Sequence, residues 1–179
     1  MIDVAPIELE METFYIRCTS PTVGYLNNMW CCIDPVLSPV RSCIKVFKLK
    51  ELFRKLKAEN EAISFISPKR DGRWFLEVDE EDGHLHWIST DKDDEHHNLS
   101  EIATFKLLPI ANSKNSIAPS TVIAEKEDSK EQQIVRAVIR CEENGMFVRV
   151  TLDERRKEFY VFANEPDYFK GTEFIIEPR

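Results

Sequence analysis

The sequence predicts a β-rich α+β protein, built of antiparallel meanders and hairpins around one amphipathic helix. Three observations carry that expectation. Arg73 to Ile88, RWFLEVDEEDGHLHWI, alternates apolar and polar residues on either side of a charged turn ending in Asp82-Gly83, the pattern of two strands joined by a hairpin loop. A second hairpin signal, Asn144-Gly145, separates two further apolar runs. Different in kind is Lys48 to Asn60, where Leu49, Leu52, Phe53 and Leu56 fall at i, i+3, i+4 and i+7, one stripe of a helix.

Taken in order, Ile7 to Glu12 alternates apolar residues with Glu8, Glu10 and Glu12, which places the glutamates toward water. The alternation continues through Phe14, Ile16 and Cys18 with its phase shifted by one, as at a bulge or where a strand changes sheets. Tyr25 to Ile33 is apolar without a period, and Pro35 and Pro39 then break the chain twice. Val40 to Phe47 reads as a strand. In the predicted helix 48–60, Glu51 precedes Lys55 by four, the favourable order for a helical ion pair, and Asn60 serves as its stop. The hairpin 73–88 comes next, then a polar acidic loop from Thr90 to Ser100 and a strand within Ala103 to Ile110. Residues 1–110 form the N-terminal part. Residues 111–133 are a linker or a short helix, the linker best placed at Ala111 to Ser120 and the charged helix at Thr121 to Gln133, capped by Ser120. Residues 134–179 form a C-terminal meander that packs separately or joins the first part in one domain. Roughly nine to eleven strands are expected in all.

The two parts rhyme. Gly72 to Val78, a charged turn and His86-Trp87-Ile88 are matched by Gly145 to Val150, a charged turn and Phe159-Tyr160-Val161. Each is followed by a loop and a strand opening on an aromatic, Phe105 and Phe174. Any two meanders share such features. The sharper reading is an internal duplication, its copies joined across Ala111 to Ser120.

Composition bounds function. The chain has 179 residues, 42% hydrophobic and 31% charged, with eleven Phe, four Tyr and three Trp, ordinary for a globular protein. A net charge of −8 disfavours nucleic acid and anionic lipid and favours a basic partner. No apolar run is long enough for a membrane-spanning helix, and the acidic start lacks the features of a signal peptide; the expected location is cytoplasmic. The five cysteines Cys18, Cys31, Cys32, Cys43 and Cys141 form no CxxC and read as small core residues in a reducing compartment. No nucleophile elbow and no glycine-rich phosphate loop occurs.

The sequence holds two candidate sites. Nine carboxylates lie between Glu77 and Glu95, among them Asp79, Glu80, Glu81, Asp82, Asp91, Asp93, Asp94 and Glu95. Such a run keeps a hairpin end solvated, or serves as a docking surface for a basic protein. On the second reading the chain is a non-enzymatic adaptor with no cofactor. Alternatively, His84 and His86, two apart on one strand face, chelate a divalent metal with nearby carboxylates in a metal-dependent enzyme. The basic stretch Lys45, Lys48, Lys50, Arg54, Lys55 and Lys57 is a solvated helix face, or answers the acidic hairpin within the fold or across a homodimer.

Overall fold

The computed structural model describes residues 4–27, 41–48, 50–67, 74–89, 102–110, 121–124 and 132–179. Among the described residues, fourteen strands lie in one antiparallel sheet: β1 (Thr13–Cys18), β2 (Gly24–Leu26), β3 (Arg41–Cys43), β4 (Val46–Phe47), β5 (Leu52–Lys57), β6 (Ile63–Ser67), β7 (Trp74–Val78), β8 (Leu85–Ser89), β9 (Phe105–Leu108), β10 (Thr121–Ala124), β11 (Gln132–Cys141), β12 (Phe147–Asp153), β13 (Glu158–Glu165) and β14 (Phe174–Pro178). In β1, Phe14, Ile16 and Cys18 are buried while Thr13, Tyr15 and Arg17 are not, the period of two expected of a half-buried strand. Glu8, Glu10 and Glu12 are exposed as their alternation implied.

The α+β expectation is overturned. Among the described residues there is no α-helix, only the short 3-10 turns Glu59–Glu61 and Tyr168–Lys170. The helix expected over 48–60 is instead β5 and the turn after it. Its apolar spacing fits a helix, but β5 is hydrogen-bonded on one side to β1 and on the other to β6, and this pairing outweighs local propensity. Read with period two, the same residues send Phe53 and Lys55 inward and leave Arg54 and Leu56 exposed. Asn60, expected to stop a helix, adopts φ 57° in the turn from β5 to β6. Of the stretch 121–133, Thr121–Ala124 pairs with β11 as a strand, and residues 125–131 lie outside the description.

Strand pairing closes on itself twice. One circuit runs β1–β5–β6–β9–β11–β14 and back to β1. The other runs β6–β7–β8–β13–β12–β11–β9, its seam made by a single bridge from His84, just before β8, to Phe162; beside it a bridge from Lys45, between β3 and β4, reaches Tyr160. Closure of this kind leaves few exposed sheet edges. The main core spans both circuits: Phe14, Phe53, Phe65 and Phe105 form a chain of ring contacts 5.2–6.3 Å apart, and Phe53 meets Trp87 of β8 at 5.5 Å, while a second, smaller cluster gathers Leu108, Val138, Phe147 and Tyr168. Trp87 is 1% exposed and donates its indole N–H to the Asn27 carbonyl.

The pairing order also repeats. Strand β6 pairs β5, β7 and β9, and β7 pairs β8. Strand β11 pairs β10, β12 and β14, and β12 pairs β13. Each set is a meander whose last strand returns to its second. Cys18 and Cys141 are free and buried, and burial pushes their thiols up to about 11 and about 12, so both act as apolar filling.

Candidate functional site: an acidic hairpin tip and the histidine seam beneath it

The β7–β8 hairpin pairs Leu76 with Trp87 and Val78 with Leu85, so the turn between them projects from a strand pair anchored by a buried tryptophan. Its first residue organises the turn. Asp79 Oδ1 accepts the backbone N–H groups of Glu81 at 2.8 Å and Asp82 at 3.4 Å, and Asp82 Oδ1 accepts that of His84 at 2.8 Å. Aspartate in turns favours such bonds to its own backbone. Gly83 sits at φ +77°, where an L side chain is strained.

The tip is also braced from outside. Ala163 of β13 donates its N–H to the Gly83 carbonyl at 2.7 Å, and Asn164 Nδ2 donates to the Asp82 carbonyl at 3.3 Å. Asn164 is itself held by Arg149 Nε at 2.8 Å. A Cβ on Gly83 would stand 2.6 Å from the Ala163 carbonyl oxygen and 2.9 Å from Asn164 Cβ, so only glycine permits this approach. Four carboxylates are thereby sorted. Asp79 is half-buried and turned to the loop backbone, whereas Glu80, Glu81 and Asp82 are exposed. Burial pushes the Asp79 carboxyl up, but the N–H groups of Glu81 and Asp82 and the neighbouring His86 outweigh it, and the group titrates below its ordinary value.

Below the tip, His84 and His86 line the seam where β8 meets β13. Their rings lie 4.9 Å apart, and His84 stacks on Phe162 at 4.5 Å and meets Tyr160 edge-on at 5.6 Å. His86 is 3% exposed, with Nε2 3.7 Å from Asp79 Oδ2. Burial lowers His84 to about 4, helped by His86 and opposed by Asp82 and Asp79, so this ring is neutral at pH 7. On the same face, Tyr160 donates to Glu158 at 2.8 Å, and Lys45 Nζ lies 3.2 Å from the other oxygen of that carboxylate. The Tyr160 bond holds Glu158 below its ordinary value, and Tyr160 itself is raised, first by burial.

The sequence-predicted residues thus fall into three groups. Asp79, Glu80, Glu81 and Asp82 share one ordered tip. His84 and His86 share a face, with Asp79 the carboxylate beside them; among the described residues no group of three or more His, Cys, Asp or Glu has the arrangement of a metal site. Asp91, Asp93, Asp94 and Glu95 lie outside the described residues. The basic stretch does not form one helical face: Lys45 pairs with Glu158, Lys50 covers the rings of Tyr15 and Tyr25, and Lys55 points inward. The bracing residues Ala163 and Asn164 carry no motif of their own, since their role depends on a hairpin far away in sequence. Among the described residues no helix is long and apolar enough to cross a membrane. No protein-family model, curated protein or solved structure matches the chain.

Proposed function

We propose that this chain is a non-enzymatic, intracellular binding protein that docks a basic protein partner on the acidic tip, through Glu80, Glu81 and Asp82; Asp91, Asp93, Asp94 and Glu95 belong to the same acidic run of the sequence. The observation that supports this reading is the bracing of the tip by Ala163 and Asn164. A charged loop that only confers solubility has no need of fixed geometry. A docking surface gains from it, because less conformational freedom is lost on binding. Complementary charge then guides association and selects the partner.

The test is binding of an arginine-rich peptide to the full chain and to two double variants, measured by fluorescence anisotropy. Glu80→Lys/Glu81→Lys reverses the tip. Glu10→Lys/Glu12→Lys reverses two exposed glutamates elsewhere and keeps the net charge equal. The tip variant is expected to bind about tenfold more weakly, with the control within twofold of the parent and affinity falling as salt rises. Equal losses in the two variants would remove the tip from the account.

A further inference from the structure

Away from the hairpin, one lysine points into the core instead of out to water. Lys55 of β5 is 6% exposed, on the inward row with Phe53. It lines a cavity of about 370 Å³ that opens beneath the segment 6–9, with Ile7, Leu9, Ile63 and Leu107 as apolar walls and Glu61 at the rim. The ammonium donates one hydrogen bond, to the Leu9 carbonyl oxygen. An ammonium carries three N–H donors, and among the described residues no other acceptor and no carboxylate reaches it. Glu8, a further lining residue, is engaged at the rim by Lys57 at 4.0 Å, both largely exposed. A buried cation so lightly matched is costly, and the cost is offset when an anion enters the space beside it.

We propose that this cavity is a binding site for a small monocarboxylate with an apolar body, its acid group received by Lys55 and its hydrocarbon by Ile7, Leu9, Ile63 and Leu107. The cavity size is that of a ligand pocket. Lys57, the other lysine of the lining, is largely exposed and engaged by Glu8, so the anion is received by the buried Lys55 ammonium, whose two N–H groups beyond the one given to Leu9 suit a carboxylate. That ammonium lacks the donors that a phosphate dianion asks for, and the rim glutamates Glu8 and Glu61 repel a second negative charge.

The probe is octanoate, added to the full chain and followed by the methyl resonances of Ile7, Leu9, Ile63 and Leu107. Saturable shifts of these methyls are expected with octanoate, and none with 1-octanol or octylammonium at the same concentration. Lys55→Gln keeps an N–H for the Leu9 carbonyl and removes the charge; it is expected to bind octanoate at least tenfold more weakly, while Lys50→Gln, outside the cavity over the Tyr15 and Tyr25 rings, stays within twofold. The comparison of the three probes on the parent chain needs no variant and stands even if Lys55→Gln fails to fold. Absence of saturable binding by octanoate, equal binding of octanol, or undiminished binding by folded Lys55→Gln would each overturn the proposal.

Discussion

Two hairpin tips of this molecule, those of β7–β8 and β12–β13, are built alike and charged oppositely. In the β7–β8 tip, Asp79 accepts the N–H groups two and three residues on, and Gly83 N–H returns to the Asp79 carbonyl at 3.0 Å. In the β12–β13 tip, Asp153 Oδ1 accepts from Arg155 at 3.0 Å and Arg156 at 3.2 Å, and Lys157 N–H returns to the Asp153 carbonyl at 2.8 Å. Each fifth residue has positive φ, +77° at Gly83 and 57° at Lys157. The shared geometry needs an aspartate at the first position and tolerance of positive φ at the fifth. It makes no demand on Glu80 and Glu81 in one tip or Glu154 and Arg155 in the other. The sign of those side chains is therefore free of the fold, and the acid of the first tip calls for an explanation at the surface.

The tips differ also in support, and the largest effect is expected there. Gly83→Ala adds both a strained φ and a collision with the β13 backbone, and should cost about 3 kcal/mol or more in denaturant unfolding. Gly145→Ala is the contrast: its φ is +70°, but nothing lies within 4 Å of the added Cβ, so about 1 kcal/mol is expected. Near-equal losses would show that Ala163 does not press on the tip.

Next in size is the response to acid. His84 is lowered from 6.5 to about 4, so between these values the unfolded chain takes up a proton that the folded chain refuses. Stability is fully present above about pH 6.5 and lost as pH falls toward 4, by on the order of 2–3 kcal/mol. Asp79 and Glu158, both lowered, add losses in the same direction below their ordinary range. His84→Phe should flatten the melting temperature between pH 6.5 and 4, and a slope that persists would move the effect to another group.

Smaller still are the two organising aspartates. Asp79→Ala and Asp153→Ala each remove bonds to two turn N–H groups and should cost about 0.5–2 kcal/mol, with Asp79 the larger because it also faces His86 at 3.7 Å. The smallest change has the opposite sign. Lys157→Gly relieves a non-glycine residue at φ 57° and should stabilise by up to about 1 kcal/mol. Destabilisation there would mean that the lysine side chain contributes more than its backbone strain removes.

Legibility from sequence tracks the range of the interactions. Both hairpins are readable because alternation and the Asp82-Gly83 and Asn144-Gly145 turns are local signals. Strand β5 is not, because four apolar residues at helical spacing carry no information about the partners on either side. Lys55 is hidden for the same reason: on a helix it belongs to the wet face, on a strand to the row of Phe53. The rhyme between the halves is visible in residues, but not the return of β9 to β6 and of β14 to β11, which joins segments far apart in the chain. The tip carboxylates emerge from a count of charge. The division of labour, with Asp79 serving the turn and Glu80 and Glu81 left outward, depends on backbone geometry that composition does not hold.

The docking reading is tested most directly by mapping amide shifts of the full chain as an arginine-rich peptide is titrated in. Perturbations confined to Asp79–Gly83 and Asn164, sparing both Asp153–Lys157 and the exposed Glu8, Glu10 and Glu12, are the expected result. Shifts spread evenly over every exposed carboxylate would contradict it and reduce the acidic tip to ordinary surface charge.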